Sequence, residues 1–188
     1  AQAIADSLLS GSSKAVLLGS AAIAHPHASN LHVLAQFIAE QTDATFGFLP
    51  VGGNAVAAPL LQAVQQKPNA GIDSMLDGSA RAVLLLNVEP LSDLPNPEQA
   101  RSALTKADTV IALSAFASSE LLELADVLLP ITPFTESVGS FINAAGTVQT
   151  IQPSVRPLAD ARPAWKVLRA MGSLLGLNGF LLNTPEEV

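Results

Sequence analysis

The chain has 188 residues, with 9 Lys and Arg against 16 Asp and Glu (net charge −7), 49% hydrophobic and 13% charged residues, and no cysteine. Within these residues that excludes disulfides, thiolate-held iron–sulfur clusters and cysteine nucleophiles, and the acidic balance disfavours nucleic acid, whose phosphates call for clustered Lys and Arg. The longest apolar runs, 82–86 and 127–130, fall far short of the ~20 residues of a membrane helix, so no direct membrane insertion is expected.

Residues 2–10 read as a first helix, closed by Gly11 at the position where a left-handed glycine ends helices. The start carries neither Met nor the basic and apolar stretch of a signal peptide, which fits a processed or excised segment. Continuously apolar runs follow at 15–19, 45–49, 82–86, 109–113 and 127–131, each trailed by Gly, Ser, Pro or Asn. Runs without polar alternation fit strands covered on both faces, as in a parallel sheet. Between them lie helix candidates. Asn30 is placed to cap 31–41, where Leu31, Leu34, Phe37 and Ile38 share a face. A second candidate is 54–66. A third, 97–107, opens on Pro and Glu, both favoured in a first helical turn. Ser118 or Ser119 is placed to cap a short helix at 120–125. Repeated strand–helix alternation predicts an α/β fold with a doubly wound, mainly parallel sheet of about five strands.

After Ile131 the rhythm changes. Residues 141–143 and 147–150 flank Ala144-Ala145-Gly146 and read as a hairpin or hooked loop, with Gly146 at positive φ. The stretch 152–162 contains Pro153 and Pro157 and should run extended. A final helix is expected at 164–175, with Trp165, Leu168 and Met171 as a buried stripe and Gly176 as its stop. Residues 1–180 thus read as one α/β domain and 181–188 as a tail.

Ligands in open α/β sheets bind beyond the carboxyl ends of strands. Gly19-Ser20 and Gly52-Gly53-Asn54 occupy such positions, and the paired glycines are the better phosphate cradle. No dinucleotide or P-loop fingerprint supports them, so plain turn formation is favoured over a phosphate cradle for these glycines. His25 and His27, with His32 nearby, would put two rings on one face of an extended segment, but no carboxylate completes a metal set. Ser114, Ser118 and Ser119 lack a nucleophile elbow and a downstream His. Glu120/Glu123 and Glu186/Glu187 read as solvated carboxylates. Asp126 should cap N–H groups or meet an Arg. Glu136 stands in an apolar, hydroxyl-rich loop, where its carboxylate needs several donors; the backbone of 137–141 is the nearest supply. Arg156, Arg162, Lys166 and Arg169 form a local basic cluster, suited to an acidic partner surface or to solvent.

The segment 125–149, ADVLLPITPFTESVGSFINAAGTVQ, resembles the molybdopterin oxidoreductase superfamily, whose pattern there is A-D-V-V-L-P, then E-x-x-G-T, then N-x-E-G-R-x-Q. Within it the likeness is greatest to the large iron–sulfur subunits, the G subunits, of NADH–quinone oxidoreductases (respiratory complex I). Leu84–Pro90, Ala115-Phe116 and 161–169 also look like the C-terminal region of those subunits, and the likeness covers most of 14–180. The resemblance implies a Rossmann-like fold and a parent that passes electrons from NADH through iron–sulfur clusters towards quinone. Those clusters belong to an N-terminal cysteine-rich part, so no cofactor, metal or catalytic residue is expected in this segment. Departures point the same way. Members that bind the molybdenum cofactor usually carry Asn-Pro where this chain has Glu89-Pro90, and the family's Glu-Gly-Arg is here Ala145-Gly146-Thr147. What remains of a binding crevice would be Gly19, Gly52, Gly53, Asn54, Glu136 and Asn143. The implied role is a scaffold, poor in charge, packed against the cluster domains of its own subunit and other subunits in the peripheral arm, on the cytoplasmic side of a bacterial inner membrane. The alternatives are a cofactor-binding domain of a working molybdopterin oxidoreductase, such as a formate dehydrogenase or nitrate reductase relative, and a free-standing nucleotide or small-ligand binder.

Overall fold

The computed structural model describes residues 2–61 and 71–188. The chain divides into two compact units, 1–64 with 141–149 and 65–140 with 150–188.

The first unit runs α1 (Gln2–Ser10), β1 (Ala15–Leu18), α2 (Ser20–Ile23), α3 (Ala28–Thr42), β2 (Thr45–Phe48) and α4 (Ala57–Leu60). β1 and β2 are parallel, with Val16 opposite Phe46 and Leu18 opposite Phe48. α3 packs on both strands, and its Ala35 and Ala39 are buried. Small side chains there let the helix backbone approach the sheet closely. α3 begins three residues before the expected start, because His25-Pro26-His27 forms a turn in which the Ala28 N–H donates to the His25 carbonyl (2.9 Å). His27, not Asn30, therefore sits at the N-cap. The helix ends where Asp43 turns left-handed, φ 52°. Of the helix expected at 54–66, Ala57–Leu60 is helical, and 62–66 lie outside the described residues.

The second unit contains α5 (Ile72–Met75), β3 (Ala82–Leu86), α6 (Pro90–Asp93), α7 (Pro97–Lys106), β4 (Thr109–Ser114), α8 (Ser119–Leu124), β5 (Val127–Pro130), a 3₁₀ turn at Phe134–Glu136 and α9 (Ala164–Leu174). Its strands form a parallel sheet in the order β3-β4-β5. β4 is central, and Val110, Leu113 and, from α8, Leu121 are no more than 1% exposed. Each such side chain contributes about 1.5–3 kcal/mol by leaving water. α7 starts as expected, with Pro97 in its first turn and the Asn96 side chain accepting from Gln99 N–H (3.1 Å).

The fold is α/β with mainly parallel strands, as the alternation predicts. Two expectations need correction. The parallel strands form a sheet of two and a sheet of three among the described residues, not one sheet of about five. An apolar run specifies a strand, but its pairing partner is chosen by long-range packing that no local pattern encodes. Coverage on both faces also holds for β4 alone; Leu17 on β1 stays 52% exposed and Leu84 on β3 45%.

The hooked loop is a hairpin of β6 (Gly139–Ile142) and β7 (Val148–Ile151). At its tip, Asn143 Oδ1 accepts from the N–H groups of Ala145 and Thr147 (both 3.0 Å), and Gly146 takes the positive φ (80°) that the turn requires. The Pro-rich stretch, expected to run extended from its prolines, does not do so throughout: it bends at 154–155 and turns at 158–161, where Ala159 takes a φ of 48° and Ala161 N–H donates to Leu158 O (3.1 Å). It is tied to its own unit by Thr132 N–H to Arg162 O (3.0 Å) and Ser154 N–H to Thr135 O (2.8 Å). The stripe on α9 is half-buried, whereas Gly172 is buried outright. The tail is not a bare loop. Phe180 lies over Gly172, Ser173 Oγ donates to Phe180 O (3.1 Å), and Arg169 Nη1 donates to Leu182 O (2.9 Å).

Candidate functional site

In the first unit, the carboxyl ends of β1 and β2 open into a cleft of about 610 Å³, lined by Leu18, Ala22, Ile23, Ala28, Ser29, His32, Phe48, Pro50, Ala55, Val56 and Ala144. Gly19 stands at its edge in sequence, as the extended residue before α2. Gly52, Gly53 and Asn143 line a neighbouring depression of about 350 Å³. Asn54 joins them, because its Oδ1 accepts from Ile142 N–H (2.9 Å). Four of the six crevice residues therefore do converge, on the hairpin tip. Their local work is structural. Gly52 supplies a positive φ of 96°, and a Cβ on Gly53 would lie 2.8 Å from two ring carbons of Phe141. α4 begins at Ala57, after a turn in which Ala58 N–H donates to Asn54 O (3.2 Å).

Glu136 belongs to the second unit and is half-buried. Its Oε2 accepts from Leu158 N–H (3.2 Å), so it holds the Pro-rich stretch and not the backbone of 137–141. The returning chain, four residues after Ser154 is fixed to the 3₁₀ turn, supplies the donor instead of the strand that follows.

The histidines do not gather. His25 and His27 sit in a turn, not an extended segment, with ring centroids 5.7 Å apart, and His25 Nδ1 accepts from His27 N–H (3.0 Å). That bond occupies a lone pair a metal would use. His32 instead stacks on Phe46 (5.1 Å, 20°) and meets Phe48 edge-on (5.1 Å, 89°). Among the described residues no three His, Asp or Glu side chains converge on a metal position.

Other singled-out groups have local partners. Asp126 Oδ2 accepts from Val110 N–H (2.7 Å), as its position predicts. Ser114 Oγ accepts from Phe116 N–H (3.1 Å). Glu123 is exposed, as expected, and also pairs with Arg101 (2.6 Å), joining α8 to α7. In the basic cluster, Lys166 Nζ lies 5.4 Å from the Trp165 ring and Arg169 holds the tail.

A pairing that sequence reasoning missed is the most informative. Beyond the carboxyl end of β3, the half-buried Glu89 accepts a hydrogen bond from Ser118 Oγ (2.7 Å), and Ser118 Oγ in turn accepts from Leu121 N–H (3.2 Å) to cap α8. The two loops that follow β3 and β4 are thus closed by a carboxylate. The signal was present: Glu stands where cofactor-binding relatives of the resemblance carry Asn. Only the fold supplies Ser118, 29 positions away, as its donor.

The molybdopterin oxidoreductase family model matches residues 1–174. The chain belongs to the molybdopterin oxidoreductase family. Among its relatives, the G subunit of the NADH–quinone oxidoreductase of Streptomyces coelicolor is 36% identical over 114 residues, 56% of this chain and 13% of that protein. The NADPH–Fe(3+) oxidoreductase subunit alpha of Geobacter sulfurreducens is 33% identical over 97 residues, 52% of this chain and 11% of that one. A nitrate reductase of Shewanella frigidimarina is 27% identical over 108 residues, 57% of this chain and 12% of that enzyme. The chain therefore spans only 11–13% of the length of these relatives.

A pterin dinucleotide carries phosphates that need cations or free N–H groups. The residues of the two strand-end regions do not fit one. Among the described residues the first-unit cleft has no Lys or Arg in its lining, the glycine turn is packed by Phe141, and the β3–β4 end presents the carboxylate of Glu89. Among the described residues no helix is long and apolar enough to cross a membrane.

Proposed function

We propose that this chain is a non-catalytic scaffold domain of the large iron–sulfur subunit of an NADH–quinone oxidoreductase. The observation that carries the reading is the Glu89–Ser118 bond, which sets a carboxylate beyond the carboxyl ends of β3 and β4, the side of an α/β sheet on which ligands rest. The replacement of the family's Glu-Gly-Arg by Ala145-Gly146-Thr147 supports it, as does the hairpin tip folding onto its own Asn143. In this reading the parent's iron–sulfur clusters carry electrons from NADH towards quinone in other domains. The domain contributes a body that packs against the cluster domains and other subunits of the peripheral arm, at the cytoplasmic face of a bacterial inner membrane. A charged fraction of 13%, about half the usual ~25%, suits a surface that partly faces protein.

The test is molybdenum, iron and pterin content of the chain purified from a host that makes the cofactor. Less than about a tenth of an equivalent of each is expected. Stoichiometric pterin would overturn the reading in favour of a cofactor-binding domain like those of formate dehydrogenases and nitrate reductases. Co-purification of the parent protein with other components of complex I, lost when this segment is deleted, is the expected sign of the scaffold role.

A further inference from the structure

The cleft of the first unit has a chemistry of its own. Its volume of about 610 Å³ falls within the roughly 300–1,000 Å³ of small-molecule sites. Among the described residues its lining contains no Asp, Glu, Lys or Arg. An ionic group placed there would lose hydration without gaining a counter-charge, which is costly. The Ala28 N–H, at the start of α3, is already committed to the His25 carbonyl (2.9 Å). What the lining does offer is an aromatic wall and two hydrogen-bonding groups. His32 is held between Phe46 and Phe48, which also meet each other edge-on at 5.1 Å. Ser29 and His32 are three residues apart on α3, so they fall on one helix face. A wall locked by its own ring contacts loses little freedom when a ligand arrives, which favours binding.

We propose that this cleft is a binding site for a neutral, largely apolar aromatic molecule, lying against Phe48 and His32 and hydrogen-bonded through Ser29 or His32. Ring edges and faces in such a wall select planar partners, and the uncharged lining selects against anions. The proposal does not depend on the scaffold reading: a domain without a redox cofactor can hold such a ligand, and one with a cofactor elsewhere can too.

The test uses two probes that share a ring system, 1-naphthol (neutral at pH 7) and 1-naphthyl phosphate (anionic), titrated into the 188-residue chain with fluorescence and NMR detection. Saturable one-to-one binding of 1-naphthol is expected, with the His32 ring protons shifting, and at least tenfold weaker binding of the phosphate. Ala28→Phe and Ala55→Phe fill the cleft from two different segments and should each weaken 1-naphthol at least tenfold. Leu122→Ala, on α8 of the second unit, should change nothing and so excludes general adhesion to exposed apolar residues. If Ala28→Phe fails to fold, Ala55→Phe, at an exposed loop position, decides alone. Binding of the phosphate as tightly as the naphthol, binding that never saturates, or binding unchanged in a folded Ala55→Phe variant would each overturn the proposal.

Discussion

Replacing Ser118 by Ala removes one hydroxyl that makes two bonds, to Leu121 N–H and to Glu89. Loss of an N-cap costs about 0.5–2 kcal/mol. A hydrogen bond to a charged group is worth about 1.5–3 kcal/mol, taken here at or below the lower end because Glu89 is half-exposed and partly screened. Together these give a loss of about 2 kcal/mol. The single tryptophan of the chain, Trp165, lies in the second unit with Ser118, so its fluorescence reports the relevant transition. With a urea slope of about 2 kcal/mol/M, the midpoint should fall by about 1 M. Ser118→Thr keeps both bonds and should stay within about 0.5 kcal/mol of the parent. In a cycle with Glu89→Ala, the two changes should couple by about 1 kcal/mol, since both delete the same contact. A midpoint shift under about 0.25 M, or strictly additive changes, would show that the carboxylate does not lock the two loops, and the main support for the scaffold reading would go with it.

Three further outcomes are expected. A Cβ at position 172 would run into the Phe180 ring, so Gly172→Ala should cost about 1–3 kcal/mol and free the tail to proteolysis, while adding little when Phe180→Ala is already present. Gly53→Ala meets Phe141 at 2.8 Å and should lower stability by about 1 kcal/mol; Phe141→Leu should recover most of it in thermal melts. The carboxyl of Asp77 is held below the ordinary value of 3.8 by the hydroxyl and the N–H of Ser79. Because the folded value is the lower one, the stabilisation is present above the unfolded value and disappears as pH falls through the folded value. An NMR titration should show Asp77 protonating at lower pH than a model carboxylate, and Ser79→Ala should move it back upwards.

Local signals are enough for most elements. The run 82–86 is β3 residue for residue, and α1 has its expected bounds. The Pro-Glu start of α7, the Ser118 cap of α8 and the left-handed Gly146 all follow from side-chain and backbone chemistry within four residues of themselves. The start of α3 escapes such signals because the His25 ring and carbonyl both bind the turn that follows, a choice that Asn30 as a possible cap does not reveal. α2, α5 and α6, four residues each, are too short for periodicity to show.

The sequence by itself determined the family, the alternation of strands and helices, and the absence of thiol chemistry, because each is written in residue type or near-neighbour spacing. Tertiary structure alone decided that the parallel strands among the described residues form sheets of two and three, that Gly53 faces Phe141 and that Glu89 finds Ser118. Those pairings join residues 16 to 88 positions apart in the chain, and their energies depend on distance in space, which no pattern of neighbours along the chain records.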